Sequence, residues 1–225
     1  MITRETLQFL AKLKQNNNRE WFQEHKHLYE AAHKNMIEFA GALYEEMQLH
    51  DQIVGTSGKK CLHRIYRDIR FSKDKTPFKR NFSGGFRRAT DTLRGGYYFH
   101  IEPGKSFVGG GFWGPNPDDL KLIRSHIAAE PERLREIIDG QEFKEEFGQL
   151  DGEQVKTAPK GYSKDDPAID LLRYKQFLVM REFTDQEVKS KEFYKAASDS
   201  FAKMRTFFDY MSEVLTTDLN GIPLV

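Results

Sequence analysis

Glu102-Pro103-Gly104-Lys105 constrains the fold of this chain more than any other segment. Proline presets φ for the second position of a tight turn, and glycine accepts the positive φ that the third position can demand. The residues on either side, 97–101 (Tyr-Tyr-Phe-His-Ile) and 106–110 (Ser-Phe-Val-Gly-Gly), have the aromatic and β-branched character of strands. Such a hairpin commits the chain to antiparallel pairing, and three further segments offer strands to extend it. Gly84-Gly85 and Gly95-Gly96 bracket one. Residues 61–71 alternate, with Cys61, His63, Ile65, Ile69 and Phe71 on one side and Leu62, Arg64, Tyr66, Asp68 and Arg70 on the other. Arg67 is the polar exception on the first side, and the spacing predicts a strand. Residues 177–183 supply the last.

Both ends read as helix. Thr3 is placed to cap a helix over 3–14 that carries Leu7, Leu10 and Leu13 on one face, and Asn16-Asn17-Asn18 interrupts it. From Arg19 a long helix follows, since Phe22, Tyr29, Ala32, Met36, Phe39, Leu43 and Met47 recur at three- and four-residue spacing. At the other end Phe193, Ala197, Phe201, Met204, Phe208, Met211 and Leu215 make a second such stripe, preceded by a capping box at Thr184-Asp185-Gln186-Glu187. Between them, Asn116-Pro117-Asp118-Asp119 opens a helix with a capping side chain, proline at the first position and acids in the first turn. Pro131 starts another that ends at Gly140, and 166–174 reads as helical. Loops are expected at 55–58, 72–81 and 158–162. The fold class is therefore α+β, an antiparallel sheet with long N- and C-terminal helices packed on it. With no linker, repeat or low-complexity tract, residues 1–225 are expected to form a single domain.

A charged fraction of 31% would suggest disorder if large apolar residues were scarce, but 18 Phe, 9 Tyr and 2 Trp supply the area for a core. No run of about 20 apolar residues could span a bilayer, and the N-terminus has no apolar core of a signal peptide. The lone Cys61 excludes an internal disulfide and any multi-cysteine zinc site. A soluble, cytoplasmic protein without a membrane partner is the expectation. The near-neutral net charge of +1 hides a segregation. Residues 59–88 hold eleven Lys/Arg against two acids, and residues 118–153 hold eleven acids against five bases. A segment at +9 either attracts an anion or is neutralised by the acidic half of the same chain.

Familiar motifs fail on inspection. Gly104-Lys105-Ser106 resembles the end of a phosphate-binding loop, but Phe99 stands where that loop needs glycine and a strand follows instead of a helix. Gly109-Gly110-Gly111 lacks dinucleotide spacing and points to close backbone packing or a bulge beside Trp113. Cys61 reads as a small buried residue. His63 and His100 fall in neighbouring strand candidates and could share a site with Asp68, or could be hydrogen-bonded core histidines.

The segment 64–79, Arg-Ile-Tyr-Arg-Asp-Ile-Arg-Phe-Ser-Lys-Asp-Lys-Thr-Pro-Phe-Lys, carries the most chemistry. On a strand, Arg64 and Arg70 would share one face and Arg67 the other. Arginine offers a planar fork suited to phosphate or carboxylate, Lys73, Lys75 and Lys79 add point charges, and Asp68 could hold an arginine in place. A salt-bridge network fastening this segment to the acidic helices explains the same residues. Together with Asn17-Asn18-Arg19-Glu20-Trp21-Phe22, Gly109-Gly110-Gly111-Phe112-Trp113, Ala158-Pro159-Lys160-Gly161-Tyr162 and the run 166–173, this string resembles a family from bacteria and fungi catalogued as domain of unknown function 2461. The resemblance covers nearly the whole chain and implies a single domain; it offers no established activity and no catalytic residue to carry over.

The matched strings are polar and sit largely in expected loops, where functional residues concentrate. The candidate ligand-binding set is Asn17, Arg19, Trp21, Arg64, Arg67, Asp68, Arg70, Lys73, Lys75, Lys160 and Tyr162. The leading expectation is a small anionic ligand, phosphorylated or carboxylated, in a pocket where the three arginines converge. One alternative is nucleic acid, with Tyr66, Phe71, Phe78, Trp113 or Tyr162 stacking on bases; a sequence pI of about 7.8 weighs against it. Another is a protein-interaction module with an acidic partner. If the site is catalytic, Asp68 would serve as general base and the arginines as clamps on negative charge, with His63 and His100 the other candidates. No cofactor and no metal is implied, and the oligomeric state is left open.

Overall fold

The computed structural model describes residues 1–55 and 57–224. Thr56, inside the loop expected at 55–58, lies outside the described residues. In chain order the elements are α1 (Arg4–Gln15), α2 (Arg19–Glu24), α3 (Lys26–Met47), β1 (Ile53–Val54), α4 (Gly58–Cys61), β2 (Phe82–Arg88), β3 (Gly96–Ile101) and β4 (Ser106–Phe112). Then come α5 (Pro117–Ala129), α6 (Pro131–Asp139), α7 (Gln141–Phe147), α8 (Ile169–Leu172), β5 (Phe177–Phe183), α9 (Asp185–Val188), α10 (Phe193–Lys203) and α11 (Arg205–Thr216). The strands form one antiparallel sheet in the order β1-β2-β3-β4-β5, and the class is α+β. None of the described helices is long and apolar enough to cross a membrane.

The chain divides into two compact units, each assembled from three segments. The first takes residues Met1–Phe86, Tyr98–Val108 and Glu182–Asp199; the second takes Arg87–Tyr97, Gly109–Arg181 and Ser200–Val225. In the first, Phe39 of α3 is buried, lies edge-on to Phe99 of β3 at 5.5 Å and stacks on Phe193 of α10 at 5.2 Å. A ring buried in this way contributes about 2–3 kcal/mol of transfer free energy. In the second, Tyr97 packs on Phe201 and Phe208, each at 5.0 Å, and Phe112 meets Phe207 and Phe208 edge-on. The expected close packing at the triple glycine is present there: a Cβ on Gly110 would lie 2.6 Å from the Phe208 ring, and one on Gly111 would lie 2.1 Å from the Phe177 carbonyl.

Local signals explain most boundaries. The Thr3 hydroxyl accepts from the Thr6 N–H, Asn116 caps α5 with its side chain, and Thr184 and Glu187 complete the capping box of α9. Lys105 N–H donates to the Glu102 carbonyl, with Gly104 at φ +71°, so the hairpin turn forms as expected. Four expectations need correction. The strand expected between Gly84-Gly85 and Gly95-Gly96 instead contains the first pair and ends at Arg88, well short of the second. The long helix from Arg19 breaks at His25, which ends α2 and begins α3. The final helix is likewise two, separated at Met204. Residues 61–71 are not a strand. Cys61 closes α4, and residues 62–67 run loosely against 77–84 through His63 N–H to Ser83 O, Lys79 N–H to Ile65 O and Arg67 N–H to Pro77 O. Pro77 has no N–H to return, and of the apolar side of the alternation only Cys61 and Ile65 are buried, while Phe71 is 95% exposed.

Candidate functional site

The basic segment is an irregular ribbon and loop within the first unit, held from both inside and outside. Asn17, in the turn between α1 and α2, grips it: its Nδ2 donates to the Phe78 carbonyl at 3.0 Å and its Oδ1 accepts from the Phe78 N–H at 3.1 Å. Phe78 is buried and stacks on Phe22 of α2 at 4.0 Å. Phe78 is thus part of the core and is not available to stack on a base.

The three arginines take three separate roles. Arg67 turns into its own loop and donates to the Thr76 carbonyl and hydroxyl and the Ser72 hydroxyl, with Nη1 2.8 Å from Asp74. Asp74 also accepts from the Thr76 N–H at 2.9 Å, and that bond, the Thr76 hydroxyl and Arg67 hold its carboxyl down at about 2. Arg70 grips Asp68 through Nε at 3.0 Å and Nη2 at 2.7 Å, on an exposed face. The hydrogen bonds from Arg70 lower the Asp68 carboxyl below its ordinary range, which makes it a weaker base than the proton-abstracting role requires. Only Arg64, among these three and within the described residues, has no carboxylate within 4 Å.

The remaining candidates disperse. Asn17, Arg19, Glu20, Asp74, Lys75 and Thr76 line an open cleft of about 570 Å³ between the start of α2 and the 69–77 loop. Its two cations face two acids, and Lys75 donates to the Ile69 carbonyl at 3.0 Å. Trp21 stacks on His25 at 4.4 Å, Lys73 is exposed, and Lys160 and Tyr162 belong to the second unit.

A more highly charged spot lies along the ribbon. Lys79, half-buried, is pushed to a lower pKa by burial and then by the positive charge of Arg64, and it lowers the already desolvated imidazole of His63 in turn. His63 Nδ1 is 3.3 Å from the Ser83 hydroxyl, and its ring is 6.0 Å from Tyr98 on β3. Asp68, the acid whose field reaches Arg64, is already held by Arg70. Two cations and a histidine therefore share one neighbourhood, and among the described residues no carboxylate lies within 4 Å of either cation.

The model of the family described as conserved hypothetical protein (DUF2461) matches residues 5–210. The chain belongs to that family. No curated protein and no solved structure matches it. Every residue of the basic ribbon and of the cleft lies within the DUF2461 match.

The sequence offers His63 only as a candidate for a catalytic site with His100, and Lys79 only as a point charge of the segment; neither stands in the ligand-binding set. The ion pairs of the acidic segment in this DUF2461 chain include Asp119 with Arg94, Asp139 with Lys144, and Glu146 with Arg181 and Lys203, all within the second unit. Among the described residues no group of three metal-ligating side chains converges.

Proposed function

We propose that this DUF2461 protein binds a small phosphorylated or carboxylated anion at Arg64 and Lys79, beside His63. The observation that carries the reading is the half-buried ammonium of Lys79 next to a second cation, with no carboxylate within 4 Å of either among the described residues. Burial first, and then the charge of the exposed Arg64, disfavour the Lys79 ammonium, so an anion beside it would be stabilising, and a loop braced by Arg67 and Asp74 holds the approach in place. The test is thermal denaturation against phosphate, sugar phosphates and dicarboxylates. A ligand at about 100 times its Kd stabilises by about 2.7 kcal/mol, and a domain of this size then gains about 5–10 °C in Tm. Lys79→Met and Arg64→Met proteins should lose the gain; a gain that both variants retain rejects the site.

A second reading has its own observation. Phe71 and Tyr66 are 95% and 54% exposed among the cations of the loop, as stacking on single-stranded nucleic acid would require. Binding of oligonucleotides alone, falling steeply with salt, would favour it. The same proposal takes the chain as a single cytoplasmic domain: strands β2 to β5 each contribute residues to both units, so neither unit can be cut out as one segment.

A further inference from the structure

α1 and α3 run antiparallel, since the Thr3 N–H donates to Asn35 Oδ1 at 2.9 Å while Phe9 lies 6.0 Å from Tyr29. Between them is a half-open cavity of about 440 Å³, inside the first unit and lined by no residue of the basic ribbon. That volume falls within the range of small-molecule sites, about 300–1,000 Å³. Its two ends differ. At one end the wall is apolar, formed by Phe9, Leu28, Ala31 and Ala32, and the alanines leave space that a longer side chain would fill. At the other, Glu5 stands beside Thr6 on α1, and Lys34 and Glu38 stand within a turn of Asn35 on α3. Asn35 is locked between them. Its Oδ1 also accepts from the hydroxyl of the fully buried Thr6 at 2.8 Å, and its Nδ2 donates to the Met1 carbonyl at 3.1 Å. The amide keeps a second N–H, for which the described residues supply no acceptor. Lys34 and Glu38 have the i, i+4 spacing that pairs Lys26 with Glu30 at 3.6 Å, yet among the described residues neither they nor Glu5 has an ion-pair partner within 4 Å.

Two carboxylates, an ammonium and a spare amide N–H at one end, with apolar groups beyond them, match a ligand that carries both charges on an apolar body. Glu5 and Glu38 suit an ammonium, and Lys34 with the Asn35 N–H suits a carboxylate, through charge-assisted hydrogen bonds in each case. A simple anion meets two acids here and a simple cation meets Lys34, so a single charge of either sign is the poorer fit. We propose that the cavity between α1 and α3 binds a free, zwitterionic α-amino acid with a large apolar side chain. The side chain covers Ala31, Ala32 and Phe9, and its removal from water supplies the main part of the affinity. This site stands apart from the anion reading at Arg64 and Lys79 and does not rest on it.

The experiment is calorimetric titration of the full chain with L-phenylalanine, glycine, phenylalaninamide and 3-phenylpropanoate. Phenylalanine should bind about tenfold to a hundredfold more tightly than glycine, the factor expected for burying its ring. Loss of the carboxylate charge in the amide, or of the amine in phenylpropanoate, should each weaken binding about tenfold or more. Lys34→Gln should erase the preference for phenylalanine over its amide. Ala31→Leu places a good helix former at an exposed helical position, so the fold is kept, and the new side chain should fill the apolar end and abolish binding. Inorganic phosphate, the probe of the Arg64 and Lys79 site, should not compete with phenylalanine. Competition by phosphate, no binding of phenylalanine, or equal binding of phenylpropanoate overturns the proposal. Binding undiminished in an Ala31→Leu protein with the circular dichroism of the wild type also overturns it, and the anion reading keeps its own test.

Discussion

Asn17→Ala is the most informative single perturbation, because a residue first expected to touch a ligand proves to clamp the backbone that presents Lys79. The side chain makes two hydrogen bonds, at 3.0 and 3.1 Å, to both polar groups of Phe78. At about 1 kcal/mol each, their loss sets a floor near 2 kcal/mol, and leaving the N–H and C=O of a buried residue unpartnered raises the cost toward about 4 kcal/mol. For a chain of this length that is a fall in Tm of about 5–15 °C. The assay is urea denaturation, where the midpoint should move and the slope should not. Asn18→Ala is the control next door: it removes one capping bond, to the Trp21 N–H at 2.8 Å, and should cost about 1 kcal/mol. Anion affinity should fall in Asn17→Ala and hold in Asn18→Ala, because only the former loosens the ribbon. A loss below about 0.5 kcal/mol for Asn17→Ala would mean that water replaces the clamp, and the account of how Lys79 is positioned would be refuted.

Other outcomes follow from the ion pairs and the units. Arg67→Ala should open residues 68–76 to limited proteolysis, whereas Arg70→Ala, which breaks an exposed pair with Asp68, should leave the midpoint of the same denaturation assay unmoved. Glu146 has a side chain only 7% exposed and meets Arg181 at 2.9 Å and Lys203 at 2.5 Å, so Glu146→Ala should cost about 3 kcal/mol in calorimetry. Burial alone would raise the Glu146 carboxyl, but Lys203, Ser200 and Arg181 bring it below its usual value. Its contribution is thus present at neutral pH and lost as pH falls below about 4.5 through the folded pKa, and Glu146→Gln should flatten that acid limb of a Tm-against-pH curve. Finally, wild-type unfolding should give one calorimetric transition with equal van't Hoff and calorimetric enthalpies; two separated transitions would refute the single-domain proposal.

Where a signal was local, the sequence could be read directly. The Pro-Gly turn, the caps at Thr3, Asn116 and Thr184 and the strand over 177–183 each depend on a few adjacent residues, and each is present in the structure. The breaks at His25 and Met204 were hidden because the apolar stripe continues across both, and periodicity registers the face of a helix but not a change in its axis. The misreading at 61–71 had a different origin. Its alternation is real, but Pro77 and the inward turn of Arg67 leave no partner able to complete a ladder. The site inherited that error. Arginines grouped by spacing along a strand are dispersed by a loop, while Lys79, His63 and Tyr98, up to 35 positions apart in sequence, come together only through the ribbon and the sheet.

The assembly of each unit from three separate stretches also bears on how the chain is made. Phe39 finishes packing only when Phe193 reaches it, so the N-terminal helices emerge from the ribosome well before the residues that close their core. At about 5–20 residues per second that interval lasts several seconds or more, during which the face of Phe39 that meets Phe193 has no partner, although Phe9, Phe22 and Tyr29 can already pack on one another. The yield of the protein should therefore respond to the rate of translation as well as to the stability of the finished fold.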